Sequence, residues 1–439
     1  MKKGVVALLL ALALIVLVSP GIVGRIAEKS MDENLDWAAN ESQELVVSSQ
    51  GFDRGWFSSA GQHRVEIRDG ELQDFFLVVA GSADAGELPA LIIDTRLDHG
   101  LIPLASMSRD EGTLMPGLGS AISTLSVELA DGEIVRLPGV IYSDVGLTGE
   151  LRSRFELGAG AHHFDGANVE WGDTTIEVTT DPATGEIWFD GGLGSVSLGG
   201  DGELFSVTDL GFTGKQRQSR FGFAVGDVDI GMQSMTVEDY TGETTTIGPM
   251  TVVASSAVKD DRVTGRLSFE LDNAPFADFG LANIVADIVL IDADGVAIGN
   301  ITDALDKLQD DGSTEDFMFV VEDDLQRLLA AGAELRFDRL DISLPQGDAN
   351  AKLRFAVSES NANTFTWTSV LLALDASVEL SLPAELVDLM TTMDPQMHAA
   401  IAGGFLRKNG DVYEMEAAFQ KGLLTVNGAP MPIPIPGTQ

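Results

Sequence analysis

Apolar and polar residues alternate over most of the chain between residues 46 and 298. The segments HRVEIRDGEL, STLSVELADGEIVRLPGV and TTIEVTTDPATGEIWFDG are representative. Because successive side chains of a strand point to opposite faces, this alternation predicts strands with one buried face. Asp-Gly pairs at 69–70, 131–132 and 201–202, and the turn Ala183-Thr184-Gly185, separate these strands. Such turns join antiparallel neighbours, so the pattern predicts a long antiparallel meandering sheet.

Helical periodicity replaces the alternation after residue 298. NITDALDKLQDD places Ile301, Leu305 and Leu308 on one helical face, and a second helix is expected to stop at Gly332. Pro383 suits the first turn of a further helix, and residues 394–403 are also expected to be helical. We therefore predict an α+β, mainly β fold, in which residues 299–430 continue the sheet and add a few helices. Asn409-Gly410 marks the final hairpin, and residues 431–439 are expected to form an exposed tail.

The N-terminus carries the features of a membrane segment. Residues 4–24 contain no charge over 21 positions and follow Lys2 and Lys3. A helix of about 20 apolar residues spans a bilayer core of about 30 Å, and the flanking lysines favour the cytoplasmic side. We predict a single-pass membrane anchor, with the remaining chain on the outer side of the membrane, in the periplasm or its equivalent. A cleaved signal peptide over 1–24 is the alternative, and residues 25–45 are predicted to form a juxtamembrane helix.

Charge and composition exclude several classes of protein. The chain has 27 Lys and Arg against 68 Asp and Glu, a formal net charge of −41, and it contains no cysteine. Such a charge repels phosphate backbones, so nucleic acid is excluded as a partner. Disulfides, thiolate metal sites and a cysteine nucleophile are excluded as well. Apolar residues make up 44% of the chain, more than an acidic disordered protein contains.

The segment SQGFDRGWFSSAG at 49–61 combines bulky aromatics with glycine, arginine and serine. We interpret it foremost as a structural corner that seats the sheet on the anchoring helix, because buried aromatics dominate local packing and glycine permits a turn. A ligand or partner contact is the second interpretation, and catalysis the third. The candidate binding residues are Arg54, Trp56, Phe57, Ser58 and Ser59, together with His99.

Metal and cofactor motifs are weak. His162 and His163 with Asp165 are candidate ligands, but we expect them in a solvated loop. Asp292 and Asp294 followed by Gly295 resemble the start of an EF-hand loop, yet Thr302 and Asp303 stand where its last ligands belong. An Asp-Gly hairpin turn is the expectation there. No catalytic motif, metal site or cofactor is predicted.

Several ordered motifs carry a resemblance to a known family. Phe52 and Arg54-Gly55-Trp56-Phe57-Ser58-Ser59 follow the membrane segment, and DTRLDHGLIPLAS carries His99-Gly100, with Leu101 where family members have proline. LDISLPQG, LDASVELSLPAELV and KGLLTVNGAP complete the set. On these motifs, and over nearly the whole chain, the sequence resembles the YdgA family of bacterial envelope proteins, which is defined by a domain of unknown function. The resemblance implies an inner-membrane-anchored periplasmic protein and no reaction.

The favoured function is non-enzymatic. We expect an envelope protein that binds a lipid, another hydrophobic cargo or a protein partner, because a meander with one apolar face must close, pack against helices or form an apolar groove. A structural or oligomerising envelope protein is the first alternative. A periplasmic hydrolase that uses carboxylates with His99 or Ser58 is the second. An open, continuous apolar sheet face would favour cargo binding over both.

Overall fold

The computed structural model describes residues 45–54, 58–67, 90–99, 117–128, 132–146, 148–164, 167–200, 203–276, 279–311, 320–358 and 372–431. The chain divides into two compact units. The first unit comprises Met1–Arg217 and Ile230–Thr246, and the second comprises Gln218–Asp229 and Ile247–Gln439. The predicted anchor at 4–24 and nearly all of the predicted helix at 25–45 lie outside the described residues. No helix among the described residues is long and apolar enough to cross a membrane.

The strands up to residue 247 are β1 (Leu45–Arg54), β2 (Ser58–Ile67), β3 (Ala90–His99), β4 (Gly117–Glu128), β5 (Ile134–Gly146), β6 (Leu151–Leu157), β7 (Gly160–Phe164), β8 (Ala167–Trp171), β9 (Thr174–Asp181), β10 (Glu186–Gly200), β11 (Glu203–Gln218), β12 (Ala224–Glu238) and β13 (Thr244–Ile247). The later strands are β14 (Met250–Lys259), β15 (Arg262–Pro275), β16 (Leu281–Asp294), β17 (Glu334–Leu344), β18 (Gly347–Val357), β19 (Leu374–Pro383), β20 (Arg407–Asn409), β21 (Val412–Gln420), β22 (Leu423–Val426) and β23 (Ala429–Met431). The helices of the described residues are α1 (Gly295–Asp311), α2 (Glu322–Ala330), α3 (Ala384–Met393) and α4 (Pro395–Ala402).

The first unit is built on an antiparallel sheet that follows the chain. Strands β1 to β6 pair in sequence, and the order then continues through β9, β10 and β11. The hairpin of β7 and β8 interrupts this order, and β8 returns to pair with the far end of β10. The predicted antiparallel meander is therefore confirmed in this unit, with one inserted hairpin.

One face of the first unit's sheet is closed. Val65, Leu91 and Val127 lie opposite one another on three neighbouring strands, and all three are buried. Phe155 and Ile176 continue this buried face on β6 and β9, and Leu125 on β4 is fully inaccessible to solvent. Hydroxyl groups within the same face bond each other, as Thr95 does with Ser123 at 2.7 Å. Burial of this extent is typical of a packed core.

The second unit contains a second antiparallel meander. Strands β14 to β19 pair in sequence, and β21 then adds to β19. The short strands β20 and β22 both pair with β21, and β23 pairs with β22. The hairpin of β20 and β21 is present where the sequence predicted one, but Asn409 pairs with Val412, so the two turn residues are Gly410 and Asp411. It is not the final hairpin, because β22 and β23 follow it.

Helix α1 corrects one expectation. Asp294 and Gly295 do not form a hairpin turn: the Asp294 carboxylate accepts hydrogen bonds from the backbone N–H groups of Val296 and Ala297 and thereby caps a helix. An aspartate before the first turn satisfies N–H groups that have no partner inside the helix. The predicted helical region at 299–332 therefore begins four residues earlier, at Gly295. Its second helix ends close to the predicted stop at Gly332.

The helices after β19 confirm the sequence pattern. Pro383 directly precedes α3, and Asp394 caps α4 through a hydrogen bond from the Gln396 N–H, with Pro395 in the first turn. Two smaller expectations were wrong. His162 and His163 lie in strand β7 rather than in a loop, and Met431, which was assigned to the exposed tail, ends strand β23.

Candidate functional site

The predicted binding residues surround the turn of the first hairpin. Arg54 ends β1 and pairs with Ser59 on β2, while Ser58 pairs with Asp98 on β3. His99 follows Asp98 and pairs with Gly119 on β4. The backbone thus brings four of the six residues to one end of the sheet. Trp56 and Phe57, and the side chains of the other four, lie outside the described residues, so their binding role stays a prediction.

A buried polar row lies beside this hairpin. Asp98, Ser120 and Asp144 are opposite one another on β3, β4 and β5. Asp98 is 4% exposed and Ser120 is 0% exposed. The Ser120 hydroxyl donates to Asp144 Oδ1 at 2.7 Å, and Arg96 Nε lies 3.4 Å from Asp98 Oδ1. Because solvent does not reach Ser120, its hydroxyl has no access to a substrate.

The face of these strands that lies opposite the closed face carries an open groove of about 880 Å³. Gln62, Asp94 and Thr124 lie across it on neighbouring strands, and Gln62 Nε2 donates to Asp94 Oδ1 at 2.8 Å. Gly51 and Ala60, which also line the groove, have small side chains or none. Two of the polar side chains that line the groove, Gln62 and Asp94, thus hydrogen-bond each other. No cluster of three or more metal-binding side chains occurs among the described residues.

The second unit presents a different kind of surface, formed by three parallel rows of side chains across its strands. The registers place the residues of each row directly opposite one another. We name these rows together the apolar floor. The first row is Val252, Phe269, Ala286, Leu340, Ala351, Leu380 and Met415; the second row is Ala254, Leu267, Ile288, Phe337, Leu353, Val378 and Ala417; the third row is Ser256, Gly265, Leu290, Leu335, Phe355, Ala376 and Phe419.

The apolar floor is accessible to solvent. Leu267 is 37% exposed, Leu335 36% and Phe355 39%. Most of the other members are half-buried, and Ala286 and Ala376 are the buried ones. In the first row and the second row every side chain is a hydrocarbon or a methionine. A contiguous exposed apolar patch of this kind marks an interaction site in a soluble domain.

Helices cover the strands on both sides of the apolar floor. On the side of the first row, Leu386 and Met390 of α3 pack against Ile284, Ile342 and Ala349. At the β19 and β21 end, α3 and α4 also pack against Leu380 and Met415. On the side of the third row, Ile298 of α1 and Leu328 of α2 pack with Val263, Ala293 and Leu290. The described helices therefore border the floor and reach Leu290 of its third row, whereas Leu267, Leu335 and Phe355 stay exposed.

The opposite face of the same sheet is polar and ion-paired. Arg354 donates to both carboxylate oxygens of Glu334, at 2.9 and 3.3 Å, and this contact raises the pKa of Arg354 above its usual value. Arg339 is paired with Asp341, whose hydrogen bond likewise raises the pKa of that arginine. Ion-paired arginines are typical of a hydrated surface. The sheet is therefore amphipathic, with an open apolar side and a solvated polar side.

The residues of the apolar floor carry no signal in the sequence that separates them from residues of a buried face. Their strands show the expected alternation, which indicates an apolar face but not whether another layer covers that face. The same alternation produces the closed face of the first unit. Only the burial of individual side chains distinguishes the two faces.

Comparison with known proteins identifies a family. The model of a family described as "Bacterial protein of unknown function (DUF945)" matches residues 1–434. No curated protein and no solved structure matches the chain. The match is consistent with the resemblance to the YdgA family that the sequence motifs carry.

Proposed function

For this chain, which belongs to the family of bacterial proteins of unknown function DUF945, we propose a non-enzymatic role in binding the acyl chains of lipids along the apolar floor. The single observation that carries the proposal is the solvent exposure of a wide, continuous apolar sheet face. The exposed side chains of Leu335 and Phe355, which are neighbours in the third row, and of Leu267 in the second row on β15 show this exposure most directly.

A hydrocarbon ligand fits this face better than an extended peptide. Every strand of the floor from β15 to β19 is paired on both sides, so its backbone groups are already hydrogen-bonded. An extended peptide laid on the face would bury its own N–H and C=O groups without partners, at a cost of about 1–3 kcal/mol for each group. An acyl chain has no such groups and gains about 0.8 kcal/mol for each methylene that it buries.

The predicted location agrees with a lipid ligand. Residues 4–24 are expected to anchor the chain in the inner membrane, with residues 25–439 in the periplasm. An anchored protein meets lipid in the membrane itself. The net charge of −41 disfavours anionic head groups, so we expect the ligand to be a lipid whose head group has no net charge.

Photo-crosslinking of the full chain tests the proposal. The detergent-purified protein is incubated with a zwitterionic lipid that carries a diazirine in its acyl chain, irradiated, digested and analysed by mass spectrometry. We expect labelled peptides from β15, β17 and β18. Leu267→Asp is expected to remove most of the label, because a carboxylate beneath a bound acyl chain loses its hydration.

Two neighbouring valines supply the matched control. Val252 belongs to the first row, whereas Val253 is 41% exposed on the polar face of the same strand. Val252→Asp is expected to reduce labelling several-fold, and Val253→Asp is expected to leave it unchanged. Labelling that is equal in both variants, or confined to strands outside β14 to β21, would refute the proposal. A dimer that excludes the lipid from the floor would favour the oligomerising alternative instead.

A further inference from the structure

We infer that the apolar floor holds the two acyl chains of one diacyl lipid side by side, each in its own furrow between neighbouring rows. This inference rests on the proposed function and names the class of lipid. The first furrow lies between the first row and the second row, and the second furrow lies between the second row and the third row.

The spacing of the rows matches a hydrocarbon chain. Neighbouring rows are two residues apart along β14, as Val252, Ala254 and Ser256 show, which corresponds to about 6.8 Å at 3.4 Å per residue. On β17 a bulge places Leu340 three residues from Phe337, so the first furrow is wider there. A chain centred in a furrow therefore lies about 3.4 Å to the side of each row, and its carbons reach the side chains on both sides at about 4 Å. One furrow thus accommodates one chain in contact with two rows.

The length of the furrows is also sufficient. The first furrow runs from β14 to β18 before α3 and α4 pack against Leu380 and Met415. Five strands have four spacings of about 4.8 Å, which gives about 19 Å. An acyl chain occupies about half of a bilayer core of about 30 Å, so about 15 Å is required. The second furrow lies alongside the first over the same five strands, and on β16 its third-row side chain, Leu290, also packs with α1 and α2.

The helices limit the number of furrows to two. The next row beyond the first contains Ile284, Ile342 and Ala349, which pack beneath α3. Beyond the third row, Val263 and Ala293 pack beneath α1 and α2. A third chain would have to displace one of these helices from its buried contacts. Two parallel chains are what a diacyl lipid offers, and a lysolipid offers one.

Native mass spectrometry of the full chain released from detergent micelles measures this stoichiometry. The probes are diacyl phosphatidylethanolamine and lysophosphatidylethanolamine, which share one head group and differ in chain number. We expect one diacyl lipid or two lysolipids per protein, and we expect the bound diacyl lipid to exclude both lysolipids. A single lysolipid at saturation, or a lysolipid bound beside the diacyl lipid, would overturn the inference while the proposed function stands.

Three variants assign the furrows. Val252→Asp lies in the first row and Leu335→Asp in the third row, so each borders one furrow and is expected to lower lysolipid binding from two to one. Leu267→Asp lies in the second row and borders both furrows, so it is expected to abolish lysolipid binding. Val253→Asp on the polar face is expected to retain two. Equal losses in the first three variants would show one undivided site and overturn the inference. Binding of neither probe by the unmodified chain would refute the proposed function itself.

Discussion

Asn427 ties the last hairpin to the end of α4, and its replacement provides a sharp test of the fold. The Asn427 Oδ1 accepts a hydrogen bond from the Glu416 N–H at 2.9 Å. The Nδ2 group donates to the carbonyl oxygens of Gly404 and Phe405, at 2.9 and 3.0 Å. Asn427 also has a φ of 50°, in the left-handed region that asparagine tolerates better than alanine. This residue belongs to the KGLLTVNGAP motif on which the family resemblance rests.

Two variants separate the hydrogen bonds from the backbone conformation. Each hydrogen bond contributes a net stability of about 0.5–1.5 kcal/mol, and at a half-buried position the lower end of this range applies. The three hydrogen bonds of Asn427 therefore stabilise the fold by about 2 kcal/mol. Alanine adds a cost of about 1 kcal/mol for the left-handed conformation, and glycine does not. We therefore expect Asn427→Ala to destabilise the β21–β23 region by about 3 kcal/mol and Asn427→Gly by about 2 kcal/mol.

Hydrogen–deuterium exchange of the peptide covering residues 412–431 measures this local opening. A loss of about 3 kcal/mol corresponds to exchange that is faster by about a hundredfold, since about 1.4 kcal/mol is a factor of ten. Peptides from the first unit serve as the internal control and should not change. Exchange that increases less than threefold in Asn427→Ala, or more in Asn427→Gly than in Asn427→Ala, would show that the reasoning is wrong.

Two further predictions concern the closed and open faces and one exposed turn. Leu125→Ala empties a fully buried site and should lower the free energy of unfolding by about 3 kcal/mol, whereas Leu267→Ala on the exposed floor should lower it by about 1 kcal/mol. Hydrogen–deuterium exchange of the β4 and β15 peptides measures the two losses. Equal losses would contradict an open floor. The Thr241 hydroxyl, which donates to Asp239 Oδ1 at 2.5 Å, holds the pKa of Asp239 below its usual value of 3.8. Because this pKa is lower in the folded state, the carboxylate stabilises the β12–β13 turn above pH 3.8, and the stabilisation is lost as the pH falls through the lowered pKa. At about pH 5, hydrogen–deuterium exchange of the peptide covering 236–246 should therefore be faster in Asp239→Asn than in the unmodified chain, and this difference should disappear at lower pH. A difference that persists at lower pH would show that the charged Asp239 carboxylate does not stabilise the turn.

Local sequence signals determined the elements of this fold. The alternation of apolar and polar residues predicted the strands, and Asn409-Gly410 predicted the hairpin of β20 and β21, because both effects act within a few residues. Pro383 predicted the start of α3 for the same reason. Asp294-Gly295 is the exception: the dipeptide suits a hairpin turn and a helix cap alike, and the apolar contacts of Ile298 with Val263 and Ala293 accompany the helix.

The tertiary structure alone decided which apolar face is closed and which is open. Val65 and Leu267 occupy strands with the same alternating pattern, yet Val65 is buried in the closed face and Leu267 is 37% exposed on the apolar floor. Alternation records that one side of a strand is apolar, and it contains no information about a layer contributed by residues distant in the chain. The position of α1 and α2 on one side of the floor, and of α3 and α4 on the other, depends on such distant contacts. The chain's sequence therefore determined its strands and its family, and its tertiary packing determined where a ligand can bind.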